Sequence, residues 1–267
     1  MHISEQVLAR TLAGDHLRGT LGGTTAHTES TAERLHRGCA RHRMPPPLLL
    51  KAIFHVHTAW SRDASMYPED LIRRCVDLGV DVLTVTDHNE IQGAREVARR
   101  APFQVIVGEE VRTREGGEII GLFLTEHIPT NTPARETIAK IKAQGGLVYL
   151  PHPFDEVRRK RFSRDFLEEI AGEVDIVETF NARNLHEEAN ARARTYAEKH
   201  GKISCAGADV HIPPELGRTT VELPPFSTPQ ELLLSLRQSR RREVRNPLWV
   251  HWASTWYRLT KHPSASA

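Results

Sequence analysis

Along most of the chain, short apolar runs alternate with longer amphipathic stretches. The runs 48–54, 80–84, 104–107, 119–124, 147–150, 175–178 and 202–206 have the length of buried strands. Between most of them the apolar positions recur with a helical period, over 68–78, 90–100, 133–144, 164–170 and 185–199. Several helix starts are readable. Tyr67-Pro68 and Thr132-Pro133 put proline at the first helical position, where its missing N–H costs nothing. Thr228-Pro229-Gln230-Glu231 has the spacing of a capping box. Strand and helix alternating in this way predict a parallel sheet with crossover helices. Seven such units are too many for a small two-layer sandwich, and a closed α/β barrel is the natural solution.

The two ends depart from this pattern. Residues 1–43 are rich in Thr, Gly, His and Arg and hold no sustained apolar period. They read as a disordered extension, or as sequence ahead of a start at Met44. The barrel is expected over 44–239. In 240–267, Arg240, Arg241 and Arg242 read as a solvated helix end. Leu248, Trp249, Trp252, Trp256 and Leu259 follow, spaced as one helix face. That helix is expected to pack on the barrel; a membrane-surface or partner-binding helix is the alternative.

Composition narrows the class. The chain has 267 residues, 39% hydrophobic and 26% charged, with a formal net charge of +2. That balance is too mild to indicate nucleic-acid binding by itself. Cys39, Cys75 and Cys205 have no metal-binding spacing, and so sparse a set fits a reducing compartment. No apolar run approaches the ~20 residues of a membrane span, and the N-terminus lacks the apolar core of a secretory signal. A cytoplasmic protein is expected. Of 15 histidines, His2, His16, His27, His36 and His42 fall in the N-terminal segment and read as surface residues.

Five of the other ten fall in a more telling pattern. His55 and His57 close the first apolar run, and residues two apart on a strand point to the same side. Asp63 follows, then Asp87 and His88, Glu110, His152, Asp209 and His211, nearly all of them at the end of a strand-like run. In an alternating barrel these ends open on one face, where the functional loops lie. A single histidine there is usually structural; eight donor-type groups on one rim are not background. A set of imidazoles and carboxylates without thiolate suits Zn, Mn or Fe(II). The donors outnumber the needs of one tetrahedral ion, so two or three divalent ions are expected. Such ions, about 3.5–4 Å apart, serve phosphoester hydrolysis through hydroxide generated at the ions. Amidohydrolase-type C–N or C–O hydrolysis is one alternative, and a non-catalytic metal-binding regulatory or assembly module is another.

Phe54-His55-Val56-His57-Thr58 with Ser61 and Asp63, Thr86-Asp87-His88-Asn89, Gly108-Glu109-Glu110, Pro151-His152-Pro153 and Gly207-Ala208-Asp209-Val210-His211 together resemble the PHP (polymerase and histidinol phosphatase) family of metal-dependent phosphoesterases. The resemblance implies a distorted (β/α)7 TIM-like barrel with the metal site at the strand C-termini. It implies one ion on His55, His57, Glu110 and Asp209, and a second on Asp63, His88 and His211. A third would be bridged by Glu110 and held by His152. Where many members carry a histidine before an Ile-x-Gly-Leu strand, this chain has Glu118, a harder ligand that changes the preference of that third position. Ile53 stands where an acidic residue is common. Asp87 is expected to orient a ligand or to reach an ion through water. Arg183 and Arg218 are candidates to clamp a phosphate, and Glu178 is a further group within reach of the cluster. The substrate expected is a small phosphate monoester, a nucleotide or a short oligonucleotide. No additional nucleic-acid module and no base-stacking aromatic cluster lie near the motifs.

Overall fold

In a computed structural model the described residues are 48–158 and 160–260. The expected N-terminal extension lies outside them, as do the last residues of the C-terminal segment. Seven strands close on one another, with β1 (Leu50–Val56) hydrogen-bonded to both β2 (Val82–Val85) and β7 (Ile203–Val210). Between these run β3 (Gln104–Arg112), β4 (Glu118–Leu122), β5 (Leu147–Leu150) and β6 (Ile176–Asn181) in sequence order. The barrel is therefore as expected, except that β4 runs antiparallel to both neighbours. Its connection to β3 is too short for a crossover helix. The Thr113 N–H and hydroxyl both donate to the Gly117 carbonyl, at 2.9 and 2.8 Å, and Gly116 takes a φ of +91° to close the turn. The reversal brings the first residue of β4, Glu118, to the rim where the parallel strands end.

Each barrel strand contributes to one interior cluster, which includes Ala52, Phe54, Val82, Ile106, Ile120, Tyr149, Ile176 and Cys205. Outside, α1 (Pro68–Asp77) and α2 (Gln92–Arg100) bury Leu71, Cys75, Ala94 and Val97 against Ile53, Val56, Leu83 and Val85. The helices α3 (Ala134–Ala143), α4 (Arg164–Ile170) and α5 (Glu187–Lys199) cover Val148, Leu150 and Val177. Each large apolar side chain so buried contributes roughly 1.5–3 kcal/mol, which makes the barrel a stiff frame for its rim. Pro68 is the first residue of α1, as expected, whereas Pro133 is the cap of α3, one residue before the helix. The capping box forms at the start of α6 (Pro229–Arg237), with the Thr228 hydroxyl accepting from Glu231 N–H at 3.2 Å.

The C-terminal region corrects two expectations. Arg240–Arg242 is a strand, β9, paired antiparallel with β8 (Thr220–Leu223), and not a helix end. Three arginines on an edge strand discourage further pairing there. In α7 (Trp249–Thr260) the tryptophan face is not the packed one. Trp252 is 80% exposed and Trp256 67%, while Val250 and Ser254 on the other side are buried. The polar anchor decides this: Arg183 donates to the Ser254 hydroxyl at 2.6 Å and to the Val250 carbonyl at 3.4 Å. No helix among the described residues is long and apolar enough to cross a membrane.

Candidate metal centre

A break in strand regularity builds the centre. On β1, Ala52 and Phe54 face the interior cluster, whereas Ile53 and Val56 lie under the helices. Strict alternation from Phe54 would aim His55 and His57 outward, away from the barrel axis. His55 instead takes a φ of +64°, and the pairing of β1 with β2 slips by one residue between Ile53 and Val56. This bulge shifts the phase of the strand and turns both imidazoles inward, their ring centroids 5.1 Å apart. Asp209 (φ +47°) and His152 (φ +26°) share the left-handed backbone, which costs energy at a non-glycine residue and here clusters at one site. On β3 the alternation holds, so Glu110 faces in. Glu109 faces out, accepts from Ile128 N–H at 3.0 Å and lies 3.0 Å from His127.

Glu110 is the centre of the arrangement. Its Oε2 is 3.4 Å from Nε2 of both His55 and His57 and 3.0 Å from His88 Nδ1; its Oε1 is 2.9 Å from His152 Nε2. Asp209 Oδ1 lies 3.7 Å from His55 Nε2, 3.6 Å from His57 Nε2 and 3.4 Å from His211 Nδ1. Asp63 Oδ2 is 3.7 Å from Nε2 of both His88 and His211. Three buried atoms in this space, His57 Nε2, Asp63 Oδ1 and Asp209 Oδ1, have no hydrogen-bond partner. Donor atoms of His55, His57 and Asp209 lie within 4.8 Å of one another, as do those of His55, Glu110 and His152, of His57, His88 and His211, and of His88, Glu110 and Glu118. Orphaned lone pairs of imidazole and carboxylate converging at these distances fit divalent cations. All nine residues expected as ligands therefore meet at one rim.

The electrostatics agree with a cation site. Burial pushes the Glu110 and Asp209 carboxyls up, but the His55 imidazole beside both, with His88 and Arg158 respectively, holds them well below the usual range. Asp63 is likewise held down, against its burial, by His211, His88 and His57. Burial lowers His57 and His211, whereas His88 is raised to about 10 because Glu110 and Asp63 outweigh its burial.

Behind the donors stand groups that orient them. Glu178 accepts from His55 Nδ1 at 2.8 Å, the Tyr149 hydroxyl at 2.9 Å, His152 N–H at 2.7 Å and Asn181 Nδ2 at 2.8 Å. It fixes His55 with Nε2 toward the cluster, a positioning task and not a ligand's. Gly207 makes room for it: a Cβ there would lie 1.6 Å from Glu178 Oε1. Asp87 also works from behind. Its carboxylate accepts from Thr58 N–H, the Thr58 hydroxyl and the Ser61 hydroxyl, each at 2.7 Å, and Ser61 Oγ is 3.3 Å from His57 Nδ1. Asp87 thus reaches the donors only through the Thr58–Ser61 turn.

A cavity of about 190 Å³ opens over the centre, lined by Asp63, His88, Arg158, Arg183, His211 and His251 among others. Arg183 is there, yet its guanidinium is engaged by α7 and by Glu215 Oε1 at 3.4 Å. Arg218, the other expected phosphate clamp, is not among its lining residues, and its guanidinium donates to the Arg245 carbonyl at 3.0 Å. The arginine that reaches the carboxylates is Arg158, 2.8 Å from Asp209 Oδ2. Its signal in the sequence is the cation run Arg158-Arg159-Lys160-Arg161 just after His152, which no motif singles out.

The PHP domain family model matches residues 54–202, more than half of the chain. The chain belongs to the PHP family. A PHP-associated family model matches residues 187–240 of this PHP protein. An uncharacterized protein of Methanocaldococcus jannaschii is 33% identical over 226 residues, spanning 78% of this chain and 89% of the relative. Among solved structures, a two-domain protein from Bacteroides vulgatus containing a predicted PHP-like metal-dependent phosphoesterase has a TM-score of 0.59 at 18% identity, covering 74% of this chain and 66% of that one. An amidohydrolase from Chromobacterium violaceum, with bound sulfate and no metal, has a TM-score of 0.51 at 17% identity, covering 72% of this chain and 98% of that one. These two likenesses are of fold.

Proposed function

We propose that this PHP protein is a metal-dependent phosphoesterase that hydrolyses a small phosphate monoester, a nucleotide or a short oligonucleotide. The observation that carries the proposal is the convergence of orphaned imidazole and carboxylate atoms beneath a cavity that also presents arginines. His55, His57, Glu110 and Asp209 would hold one ion, and Asp63, His88 and His211 a second, with Glu110 and His152 facing a further position beside Glu118. Divalent ions such as Mn, Zn or Fe bound there would supply Lewis acidity toward phosphoryl oxygens and make water acidic enough to act as the nucleophile at neutral pH.

The chain's own residues do the rest. Glu178 holds His55 and the His152 backbone, and Asp87 holds the Thr58–Ser61 turn that meets His57. Glu215 accepts from His211 N–H at 2.7 Å and fixes the loop that carries that ligand. Arg158 and Arg183 place fixed positive charge at the cavity wall, where equatorial phosphoryl oxygens gain from it. A second reading, C–N or C–O hydrolysis, draws on the likeness to the amidohydrolase fold.

The deciding experiment is phosphate release by the manganese-loaded protein. The panel holds p-nitrophenyl phosphate, its bis-ester, mononucleotides, 3′,5′-bisphosphates and histidinol phosphate beside a set of esters, lactones and amides. Hydrolysis of a phosphate ester that Asp209→Ala abolishes is the expected result. Turnover confined to the lactones or amides would sink the phosphoesterase reading in favour of the second.

A further inference from the structure

Glu118 and Asp209 share a cation that is part of the chain. Arg158, in the loop after β5, brings Nη2 to 2.8 Å from Asp209 Oδ2 and Nη1 to 3.5 Å from Glu118 Oε2. Its Nε lies 3.3 Å from Asp155 Oδ2, which fixes the plane of the guanidinium. The other Glu118 oxygen accepts from Arg112 Nη2 at 3.1 Å. Both oxygens of Glu118 thus face guanidinium groups. Its separation from His152 Nε2 is 4.0 Å, while that imidazole lies 2.9 Å from Glu110 Oε1. His88, Glu110 and Glu118 do offer donor atoms within 4.8 Å of one another, so an ion could reach Glu118 if the carboxylate were free.

Resting on the metal-dependent reading above, we propose that Arg158 takes the place of a third ion. The cluster then holds one ion on His55, His57, Glu110 and Asp209 and one on Asp63, His88 and His211. The guanidinium bridging Asp209 and Glu118 is the fixed cation of the remaining position. A divalent ion on Glu118 would sit almost in contact with this half-buried guanidinium, and like charges so close repel. Arg158 offers a planar fork of N–H donors with a charge that no ordinary pH removes, and it is present whatever the metal supply. It would serve as a positioning residue for Asp209, holding Oδ2 so that Oδ1 stays aimed at the imidazoles.

Ion counting tests this directly. The full chain is stripped with chelator, reloaded with manganese, passed through gel filtration and analysed by plasma mass spectrometry. About two ions per chain are expected in the wild type and about three in Arg158→Gln, where Glu118 and Asp209 lose their internal cation. Glu118→Gln, which removes the carboxylate without disturbing the two sites, is expected to stay at about two. A wild-type chain with three ions overturns the proposal and leaves the metal-dependent reading standing. So does an Arg158→Gln protein that stays at the wild-type count, or a Glu118→Gln protein that loses an ion. If Arg158→Gln fails to fold, the wild-type and Glu118→Gln counts still decide. A wild-type chain that binds no manganese overturns the metal-dependent reading itself, and this proposal with it.

Discussion

Replacing Glu178 with glutamine removes one charge and almost no volume, so it probes the orienting layer behind the donors without touching a ligand. The carboxylate is fully buried. Burial pushes it up, but the His55 imidazole beside it outweighs the burial and keeps it ionised. Its two oxygens accept four hydrogen bonds, from His55 Nδ1, the Tyr149 hydroxyl, His152 N–H and Asn181 Nδ2, all between 2.7 and 2.9 Å. An amide keeps one accepting oxygen. If that oxygen serves His55 and Tyr149, the new NH2 group faces two donors, His152 N–H and Asn181 Nδ2. Each buried group so left unmatched costs about 1–3 kcal/mol. The His152 backbone then loses the partner that seats its loop, or, with the amide turned round, His55 loses the partner that aims its Nε2; either loss lowers metal affinity by roughly 10–100-fold. In free energy that is about 1.4–2.7 kcal/mol of binding. Calorimetric titration of the metal-stripped protein with manganese measures it. An affinity within about twofold of wild type, with an unchanged melting temperature, would refute the reasoning.

Three further perturbations follow from the same geometry. Gly207→Ala puts a Cβ 1.6 Å from Glu178 Oε1, so it should cost about 1–3 kcal/mol in stability and weaken manganese binding as Glu178→Gln does; an unchanged titration curve contradicts it. Burial raises the Glu109 carboxyl from 4.5 to about 8, against the opposing Ile128 N–H, so the folded protein binds an extra proton and loses stability as pH rises through that window. Glu109→Gln should therefore gain a few kcal/mol relative to wild type at pH 8 over pH 5 in urea unfolding, and an equal difference at both pH values would mean that Glu109 carries no linked proton and would contradict it. Arg183→Ala frees α7 and leaves Glu215 buried beside an absent partner, at a cost of about 3–5 kcal/mol. Limited proteolysis should then cut within 243–260 under conditions that spare the wild type, and a cleavage pattern like that of wild type would rule out Arg183 as the anchor.

The run lengths and periods of the chain already determine the barrel. Seven apolar runs with amphipathic stretches between most of them have few ways to bury themselves, and closure is the one found. The donor set was legible for a related reason: imidazoles and carboxylates crowded at the ends of apolar runs have no cheap structural use. The resemblance's Gly-x-Glu position singles out Glu110, and the two-residue period sends Glu109 to the opposite face, because β3 is regular through both.

Where the period breaks, only the tertiary structure decides. Counted outward from Phe54, the alternation on β1 sends His55 and His57 to the wrong face, and the bulge that corrects it arises from slipped pairing with a strand distant in sequence. The reversal of β4 is likewise a matter of pairing, and it alone carries Glu118 to the rim. Glu178, Gly207 and Arg158 acquire their roles from partners 29, 123 or 51 residues away, separations at which local pattern holds no information. The face of α7 that packs was set by a hydrogen bond to Arg183, 71 residues upstream, against the larger apolar area of its tryptophan stripe. Sequence pattern reports what a segment would bury if it could choose its own neighbour; the closed barrel allots the neighbours, and with them the choice among helix faces, strand phases and the partners of each charge.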